Sequence, residues 1–396
     1  MTLLRGLFCI TALLGWVSNI SATDYYVSER SGSDSNSGLS ADAPWKSIAR
    51  VNHAAFGPGD RVLLHAGEVW REQLRPPSSG TADQAILFSS YGVGARPILE
   101  GTHGAAVERR SFDAIPGRGQ RTDSVDVAID NNEQSHIVYS GLELRHVVEG
   151  LRIYAWSAAL RDITLEDCSI LVEDVPTARV VSAAIYANVK SGSITELRIL
   201  ANHLVAYPHQ LEHWGVYLAG GVQQFKIRDN ILGPAGEDGI TIWHCAFGEI
   251  SHNQGGGNGE NTIDVKDAHD VAILDNTADL DQEYNMVVHS VDAPNSTYNV
   301  RVEGNRCQRG GQGGELSAGI ALLFVQKSGM EDNLVEFAYG AGILIKDGGA
   351  HAGNWASRNR LIGNGAGQKL PAILLQGTSS ARIEANQVEL KPSLIQ

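Results

Sequence analysis

The chain has 396 residues, a formal net charge of −14 at pH 7, 44 glycines and an aromatic content of 7%. The negative charge argues against a nucleic-acid partner or an anionic membrane surface, because binding to such surfaces needs clustered Lys and Arg. The glycine content favours many tight turns over long helices.

Residues 1–22 are predicted to be a signal peptide. Arg5 supplies the positive charge, residues 7–17 the apolar run, and Ser21-Ala22 the small residues near a cleavage site. The apolar run is too short for a membrane-spanning helix. We therefore expect a secreted or periplasmic monomer that begins near Thr23 and has no membrane segment after signal removal.

Three cysteines remain after the signal, Cys168, Cys245 and Cys307. They cannot all pair, and their spacing matches no metal-binding pattern. Each is expected to fill a small apolar gap.

Residues 23–125 are predicted to form an N-terminal cap and the first strands. One short helix is expected within residues 44–54, followed by strands at 61–65, 85–89 and 97–99. Such a cap would cover the exposed end of a stack of strands. Residues 102–125 form a polar loop, either a solvated excursion or a basic wall over a cleft, with arginines at Arg109, Arg110, Arg118 and Arg121.

Residues 126–396 carry a repeat in which an Asn or Asp follows an apolar strand. The spacing is 23 to 35 residues, at Asp167, Asn202, Asn230, Asn253, Asn276, Asn305, Asn333, Asn359 and Asn386. This period indicates a solenoid, and strand-rich repeats indicate a parallel β-helix, here of about ten coils. The recurrent Asn fits an inward ladder of stacked amides. The predicted fold is all-β, a right-handed parallel β-helix behind a capping module.

A second strand in each repeat can be aligned into columns, because side chains alternate along a strand and coils stack about 4.8 Å apart. The inward column is Leu151, Ile185, Val216, Ile240, Ile263, Met286, Ile320, Ile343 and Ile373. The first outward column is Arg152, Tyr186, Tyr217, Thr241, Asp264, Val287, Ala321, Leu344 and Leu374. The second is Tyr154, Asn188, Ala219, Trp243, Lys266, His289, Leu323, Lys346 and Gln376.

The polar middle of these outward columns is the candidate site. Lys266 lies between Trp243 and His289, where partial desolvation would lower its pKa and make it a base. Asp264 would orient the lysine; alternatively the two are a solvated surface pair. His289 or Tyr217 would assist proton transfer, although His289 could instead be a packing residue.

Further residues of this surface are candidates for binding. Trp243 and Tyr186 offer flat apolar faces to a sugar, Arg152 offers a positive charge, and His244 could line the rim. A stack of acidic residues in the preceding turns would suit calcium, or would be an ordinary solvated edge, and comprises Glu237, Asp238, Glu260 and Glu283.

Two resemblances follow from these residues. The runs at 32–40, 44–46 and 58–60, together with the Asp264-Val-Lys266 strand, resemble the pectate-lyase superfamily, nearest to family-nine-type polysaccharide lyases. That resemblance implies a uronate neutralised by calcium and a C5 proton removed by Lys266. Asp267-Ala-His-Asp270 is similar to the Asp-Pro-His-Asp of mannuronan C5-epimerases, although by register Asp264-Val-Lys266-Asp267 occupies that position.

The leading hypothesis is a lyase that cleaves an acidic, uronate-containing polysaccharide by β-elimination. A glycoside hydrolase is the second, with Asp238 and Asp264, or Glu260 and Asp264, as paired carboxyl groups. A C5-epimerase of the same fold and a glycan-binding solenoid without chemistry are the remaining alternatives.

Overall fold

The computed structural model describes residues 22–101, 127–172, 182–206, 213–312, 317–346, 352–377 and 380–390. The predicted signal peptide, apart from Ala22, and the arginine-bearing loop lie outside these ranges. The described residues form three parallel sheets, and successive coils of the chain contribute one strand to each. The architecture is the right-handed parallel β-helix expected from the sequence.

The three sheets are named A, B and C. Sheet A contains β1 (Asp24–Val27), β2 (Arg61–His65), β4 (Ile86–Tyr91), β7 (Ile137–Ser140), β10 (Ala159–Glu166), β13 (Ser193–Leu200), β16 (Lys226–Arg228), β19 (Ala246–Ser251), β22 (His269–Leu274), β25 (Tyr298–Glu303), β28 (Gly329–Glu331), β31 (Trp355–Ser357) and β34 (Arg382–Glu384). Sheet B contains β3 (Val69–Trp70), β5 (Ile98–Glu100), β8 (Glu143–Val147), β11 (Ser169–Val172), β14 (His203–Ala206), β17 (Ile231–Leu232), β20 (Gln254–Gly256), β23 (Thr277–Asp279), β26 (Arg306–Gln308), β29 (Leu334–Glu336), β32 (Arg360–Ile362) and β35 (Gln387–Glu389). Sheet C contains β6 (Val127–Asp130), β9 (Glu149–Ala155), β12 (Ser182–Val189), β15 (His213–Ala219), β18 (Ile240–Trp243), β21 (Asn261–Lys266), β24 (Tyr284–His289), β27 (Ala318–Leu323), β30 (Ala341–Lys346) and β33 (Ile373–Gln376).

The N-terminal segment carries the single helix of the described chain, α1 (Ile48–Asn52). It is shorter than the predicted 44–54 because Ser47 is extended and caps it, accepting a hydrogen bond from the Arg50 N–H at 3.0 Å. Ile48 and Val51 are buried against the first coils. Within the described residues, no helix is long and apolar enough to cross a membrane.

The strand register of sheet C is the one predicted from the sequence. Ile263 pairs with Ile240 on one side and with Met286 on the other, and all three side chains are fully buried. Each such side chain contributes about 2 kcal/mol of hydrophobic stabilisation. Because the inward residues are fixed in register, the outward residues between them also align from coil to coil.

The asparagine ladder is confirmed between sheets A and B. Nδ2 of Asn276 donates to Oδ1 of Asn305 at 3.0 Å and to the Ile250 carbonyl at 2.9 Å. The same contact links Asn202, Asn230, Asn253, Asn276, Asn305, Asn333, Asn359 and Asn386 in order. Asp167 was wrongly counted in this series. Cys168 occupies its rung, and Asp167 precedes it in the left-handed region at φ 49.

The late coils of sheet C carry an outward apolar patch, as expected from the sequence. Ala321 and Leu344 are buried there, and Leu370, from the segment that precedes β33, packs against them. The polar middle of the sheet therefore lies between two apolar regions. The described cysteines Cys168, Cys245 and Cys307 are free and buried, as predicted.

Candidate functional site

Asp264 is the centre of the polar region on the outer face of sheet C. Trp243, Lys266 and His289 lie side by side in three successive coils. Oδ2 of Asp264 is 2.7 Å from Nζ of Lys266, and Oδ1 is 2.8 Å from Nε2 of His289. The lysine Nζ also lies 5.9 Å from the Trp243 ring centroid. The residues that the sequence brought together are therefore neighbours, and Asp264, which is 2% exposed, joins them.

The protonation of Lys266 differs from the prediction made from the sequence. Burial alone would lower the pKa of Lys266, but the charge and the hydrogen bond of Asp264 outweigh it, so the pKa lies above its ordinary value. Burial likewise disfavours ionised Asp264, yet Lys266 and His289 hold the pKa of this carboxyl well below its usual range. The expectation of a depressed lysine pKa was wrong, because a buried carboxylate lies within hydrogen-bonding distance of the amine. Lys266 is a cation that pairs with an ionised Asp264.

Asp238 is a second buried carboxyl group, and its pKa is shifted in the opposite direction to that of Asp264. Its side chain is 0% exposed. Oγ1 of Thr241 donates to its Oδ2 at 2.6 Å, and Nδ2 of Asn261 donates to its Oδ1 at 2.8 Å. Burial first, and then the charge of Asp264, raise the pKa of Asp238 well above its usual range. One neutral and one ionised carboxyl group therefore lie in adjacent coils.

The predicted aromatic and basic contacts lie in the earlier coils. Tyr217 and Tyr186 stack on each other with ring centroids 5.6 Å apart, and both are buried. Burial raises the pKa of Tyr186 to about 12, and burial together with neighbouring charge raises the pKa of Tyr217 further. Nε of Arg152 is 2.6 Å from Oε2 of buried Glu149. Tyr217 is a neutral phenol, and the charge of Arg152 is balanced within the protein.

The four acidic residues predicted to bind calcium do not converge. Glu260 donates its backbone N–H to Glu237 O, and Glu283 donates to Glu260 O, each at 3.0 Å, so the backbones stack as expected. However, Glu237 is buried, Glu260 is half-buried and Glu283 is exposed. Asp238 is a neutral carboxyl group held by amides. Among the described residues these four do not form a group of three ligand atoms within 4.8 Å of one another, and calcium binding stays a prediction.

A different group brings three potential ligands together. The potential ligand atoms of three residues lie within 4.8 Å of one another, and these residues are His244, Asp267 and Asp292. This is the single such group in the described part of the chain. Nε2 of His244, the predicted rim residue, lies 2.9 Å from Oδ2 of Asp292. Asp267 already accepts hydrogen bonds from Nε1 of Trp243 at 3.1 Å and from the Val291 N–H at 2.9 Å. Asp267 therefore positions Trp243.

Sequence reasoning missed the supports of the two carboxyl groups. Thr241 was placed in an outward column, but its contact with Asp238 and the contact of Asn261 with Asp238 were not foreseen. The signal was present, because Asp238 and Asn261 are separated by 23 residues, which is the length of one coil. The contact of His289 with Asp264 follows from the same alignment.

Comparison with known proteins supports the fold. Residues 183–366 match the family model described as right handed beta helix region. The lacto-N-biosidase of Bifidobacterium longum subsp. longum is 36% identical over 132 residues, a match that covers 31% of this chain and 8% of that protein. The match thus spans a small part of that relative.

Solved structures share the architecture at low identity. The GH136 lacto-N-biosidase from Eubacterium ramulus has a TM-score of 0.63 at 17% identity, covering 93% of this chain and 68% of that chain. The A-module of the Azotobacter vinelandii mannuronan C-5 epimerase AlgE4 has a TM-score of 0.54 at 13% identity, covering 92% and 96%. A structure described as a glycoside hydrolase has a TM-score of 0.56 at 10% identity, covering 94% and 98%. By fold, this chain is a right-handed parallel β-helix protein, and proteins named as hydrolases and as an epimerase share that fold.

Proposed function

We propose that this protein is a glycoside hydrolase that cleaves a neutral saccharide with Asp264 and Asp238 as its two carboxyl groups. The observation that carries the proposal is a pair of buried carboxyl groups with different partners: Asp264 contacts the cationic Lys266 and His289, whereas Asp238 contacts the uncharged Thr241 and Asn261. Glycosidases need one protonated and one ionised carboxyl group on either side of the scissile bond. Burial and the charge of Asp264 raise the pKa of Asp238, whereas Lys266 and His289 lower the pKa of Asp264, which separates the two values in this way.

Each group has a defined role in the proposed reaction. Asp238 gives its proton to the glycosidic oxygen as the bond to the anomeric carbon breaks. Asp264 either attacks that carbon or activates the water that does so, at carboxyl separations of about 5–5.5 Å and about 6.5–9.5 Å respectively. Lys266 and His289 keep Asp264 ionised and oriented, and Thr241 positions Asp238.

The same geometry disfavours β-elimination, the leading hypothesis from the sequence. Elimination by Lys266 or Tyr217 needs that group deprotonated, whereas the raised pKa values of both keep them protonated near neutral pH. A uronate would also lie close to Asp264 and Glu260, whose charges contribute to the raised pKa of Lys266. A neutral sugar avoids this repulsion. The relatives named lacto-N-biosidase and glycoside hydrolase support the same choice.

The products of a saccharide screen test the proposal. We expect purified protein to release new reducing ends from neutral oligosaccharides without the ultraviolet absorbance of an unsaturated uronate. Asp264→Asn should lower kcat/KM by about 100-fold or more. Asp275→Asn is the matched control, because Asp275 is exposed and its left-handed conformation at φ 53 suits Asn. Unsaturated products from a uronate polymer would overturn the proposal.

The pH profile assigns the acid. Activity requires ionised Asp264 and protonated Asp238, so the rate should fall on the alkaline side as Asp238 loses its proton. Asp238→Asn should remove that alkaline limb and spare aryl glycosides with good leaving groups, while Glu260→Gln retains the parent profile. If Glu260→Gln instead shows the altered profile, Asp238 is not the acid.

A further inference from the structure

An aromatic residue occupies an unfavourable backbone position on the outer face of sheet A. One column position, in or just before these strands, lies in the left-handed region in coil after coil, at His136, Asp162, Glu196, Gln224, Phe247, Asp270, Asn299, Lys327 and Gly353. Asn, Asp and Gly tolerate this conformation, whereas a bulky apolar side chain does not. Phe247 nevertheless adopts φ 57 and is 53% exposed. It therefore brings strain without the stabilisation that burial would provide.

Phe247 belongs to a set of three rings in adjacent coils. The rings of His269 and Tyr298 stack with centroids 4.7 Å apart and an interplanar angle of 1°. The Phe247 ring meets His269 edge-on at 5.4 Å. Nδ1 of His269 lies 2.8 Å from Oδ2 of Asp270, which fixes the orientation of the imidazole ring. We call Phe247, His269 and Tyr298 the aromatic platform.

The platform adjoins the candidate active site around one turn of the coil. Phe247 lies four residues after Trp243, and His269 lies three residues after Lys266. Between them, His244 stacks on Trp243 with ring centroids 5.5 Å apart and is half-exposed. Aromatic residues thus occur at the end of sheet C, in the turn and at the start of sheet A.

We propose that the aromatic platform is a saccharide subsite that holds a sugar ring of the substrate chain beyond the residues at Asp264. An exposed Phe247 ring beside the half-buried rings of His269 and Tyr298, with a few polar groups next to them, suits a pyranose, which has an apolar face and a rim of hydroxyl groups. Asp270 and Asn299, hydrogen-bonded to each other beside the rings, supply partners for those hydroxyls. The acidic side chain favours a neutral sugar over a uronate. The chemical class is a neutral oligosaccharide of at least three or four units.

The inference rests on the proposed function, because that function sets where the saccharide chain lies relative to Asp264. Saccharide binding can nevertheless be measured without turnover. We would titrate the Asp264→Asn protein calorimetrically with cellotetraose, mannotetraose, chitotetraose and lacto-N-tetraose, and with the matching disaccharides. The test variant adds Phe247→Asn, which removes the ring and suits the left-handed backbone. The control adds Gln224→Asn, one coil earlier at the same column position and also exposed.

Phe247→Asn should weaken binding of the tetrasaccharide by about tenfold, leave disaccharide binding unchanged and keep or raise the thermal midpoint. Gln224→Asn should change neither affinity. Equal affinities for Phe247→Asn and its parent, an equal loss for the disaccharide, or no binding of any tetrasaccharide would overturn the platform. If the unmutated protein hydrolyses no saccharide, but Phe247→Asn selectively weakens tetrasaccharide binding, the subsite is supported and the proposed function is refuted.

Discussion

Asp281 shows how a single residue couples stability to pH. It is 0% exposed and accepts hydrogen bonds from Nδ2 of Asn258 and Nδ2 of Asn285, each at 2.8 Å, and from Oγ1 of Thr262 at 2.7 Å. No Lys, Arg or His within the described ranges forms an ion pair with it. Burial raises the pKa of Asp281 to about 7, against an ordinary value near 3.8. The carboxyl group is therefore more stable protonated than ionised.

The consequence is a stability that decreases between acidic and neutral pH. Because the folded-state pKa lies above the unfolded value, the contribution of Asp281 is complete below pH 4 and is lost as pH rises to about 7. Asp281→Asn should raise the free energy of unfolding at pH 8 by up to about 4 kcal/mol. Its amide could also donate to Oδ1 of Asn285, which has no hydrogen-bond partner.

Urea unfolding at pH 4 and pH 8 measures this effect. The variant should gain stability at pH 8 and lose part of the pH dependence. Asp275→Asn, at an exposed position, serves as the control. A variant less stable than the parent at pH 8 would show that the ionised carboxylate is required.

Lys266 marks the limit of residue-level reasoning from the sequence. Its neighbours Trp243 and His289 follow from the strand register, so its location was predictable. Its protonation was not, because it depends on a 2.7 Å contact with the buried carboxylate of Asp264. Two opposing effects, burial and charge, had to be compared at known distances.

At the scale of the element, the ladder turn is the unit that holds neighbouring coils together. Each inner Asn amide bonds to the amide of the next coil and to a backbone carbonyl of the preceding coil, as Asn276 does with Asn305 and Ile250. Its Oδ1 accepts from the backbone N–H of Asn253 at 2.9 Å. Removing one side chain therefore leaves several buried groups without partners.

Asn276→Ala should destabilise the protein by about 3 kcal/mol or more, since each orphaned buried group costs about 1–3 kcal/mol. Asn386→Ala is the matched control, because the last rung is half-buried and water can replace its contacts. Thermal unfolding followed by circular dichroism compares the two. Equal shifts in the thermal midpoint would mean that burial of the rung is unimportant.

Strand patterns were the most predictable feature at this scale. The columns through Ile263, Asp264 and Lys266 were predicted in full. Side chains along a strand alternate with a period of two residues, and successive repeats have similar lengths. Together these constraints allow one strand register that buries the aliphatic side chains. Asp167 was misplaced because this turn has two neighbouring polar positions. An Asp commonly occupies the left-handed position, and the Asn that follows it forms the ladder rung.

At the scale of the whole molecule, the net charge of −14 raises the question of bound cations. The acidic stack of Glu237, Glu260 and Glu283 extends along the coils without a shared centre among the described donors. We therefore expect dialysis against EGTA to leave the thermal midpoint and the hydrolytic rate unchanged. A fall in either that added calcium restores would support the calcium binding predicted from the sequence.

The sequence by itself determined the solenoid, the Asn ladder and the side chains that share each outward column. These follow from the alternation of inward and outward residues and from the repeat length, both of which are local. Only the tertiary structure decided which groups are ionised, that Asp238 and Asp264 differ in charge, and that the acidic stack does not converge. Those properties depend on burial and on distances between groups in different coils, which no local pattern specifies.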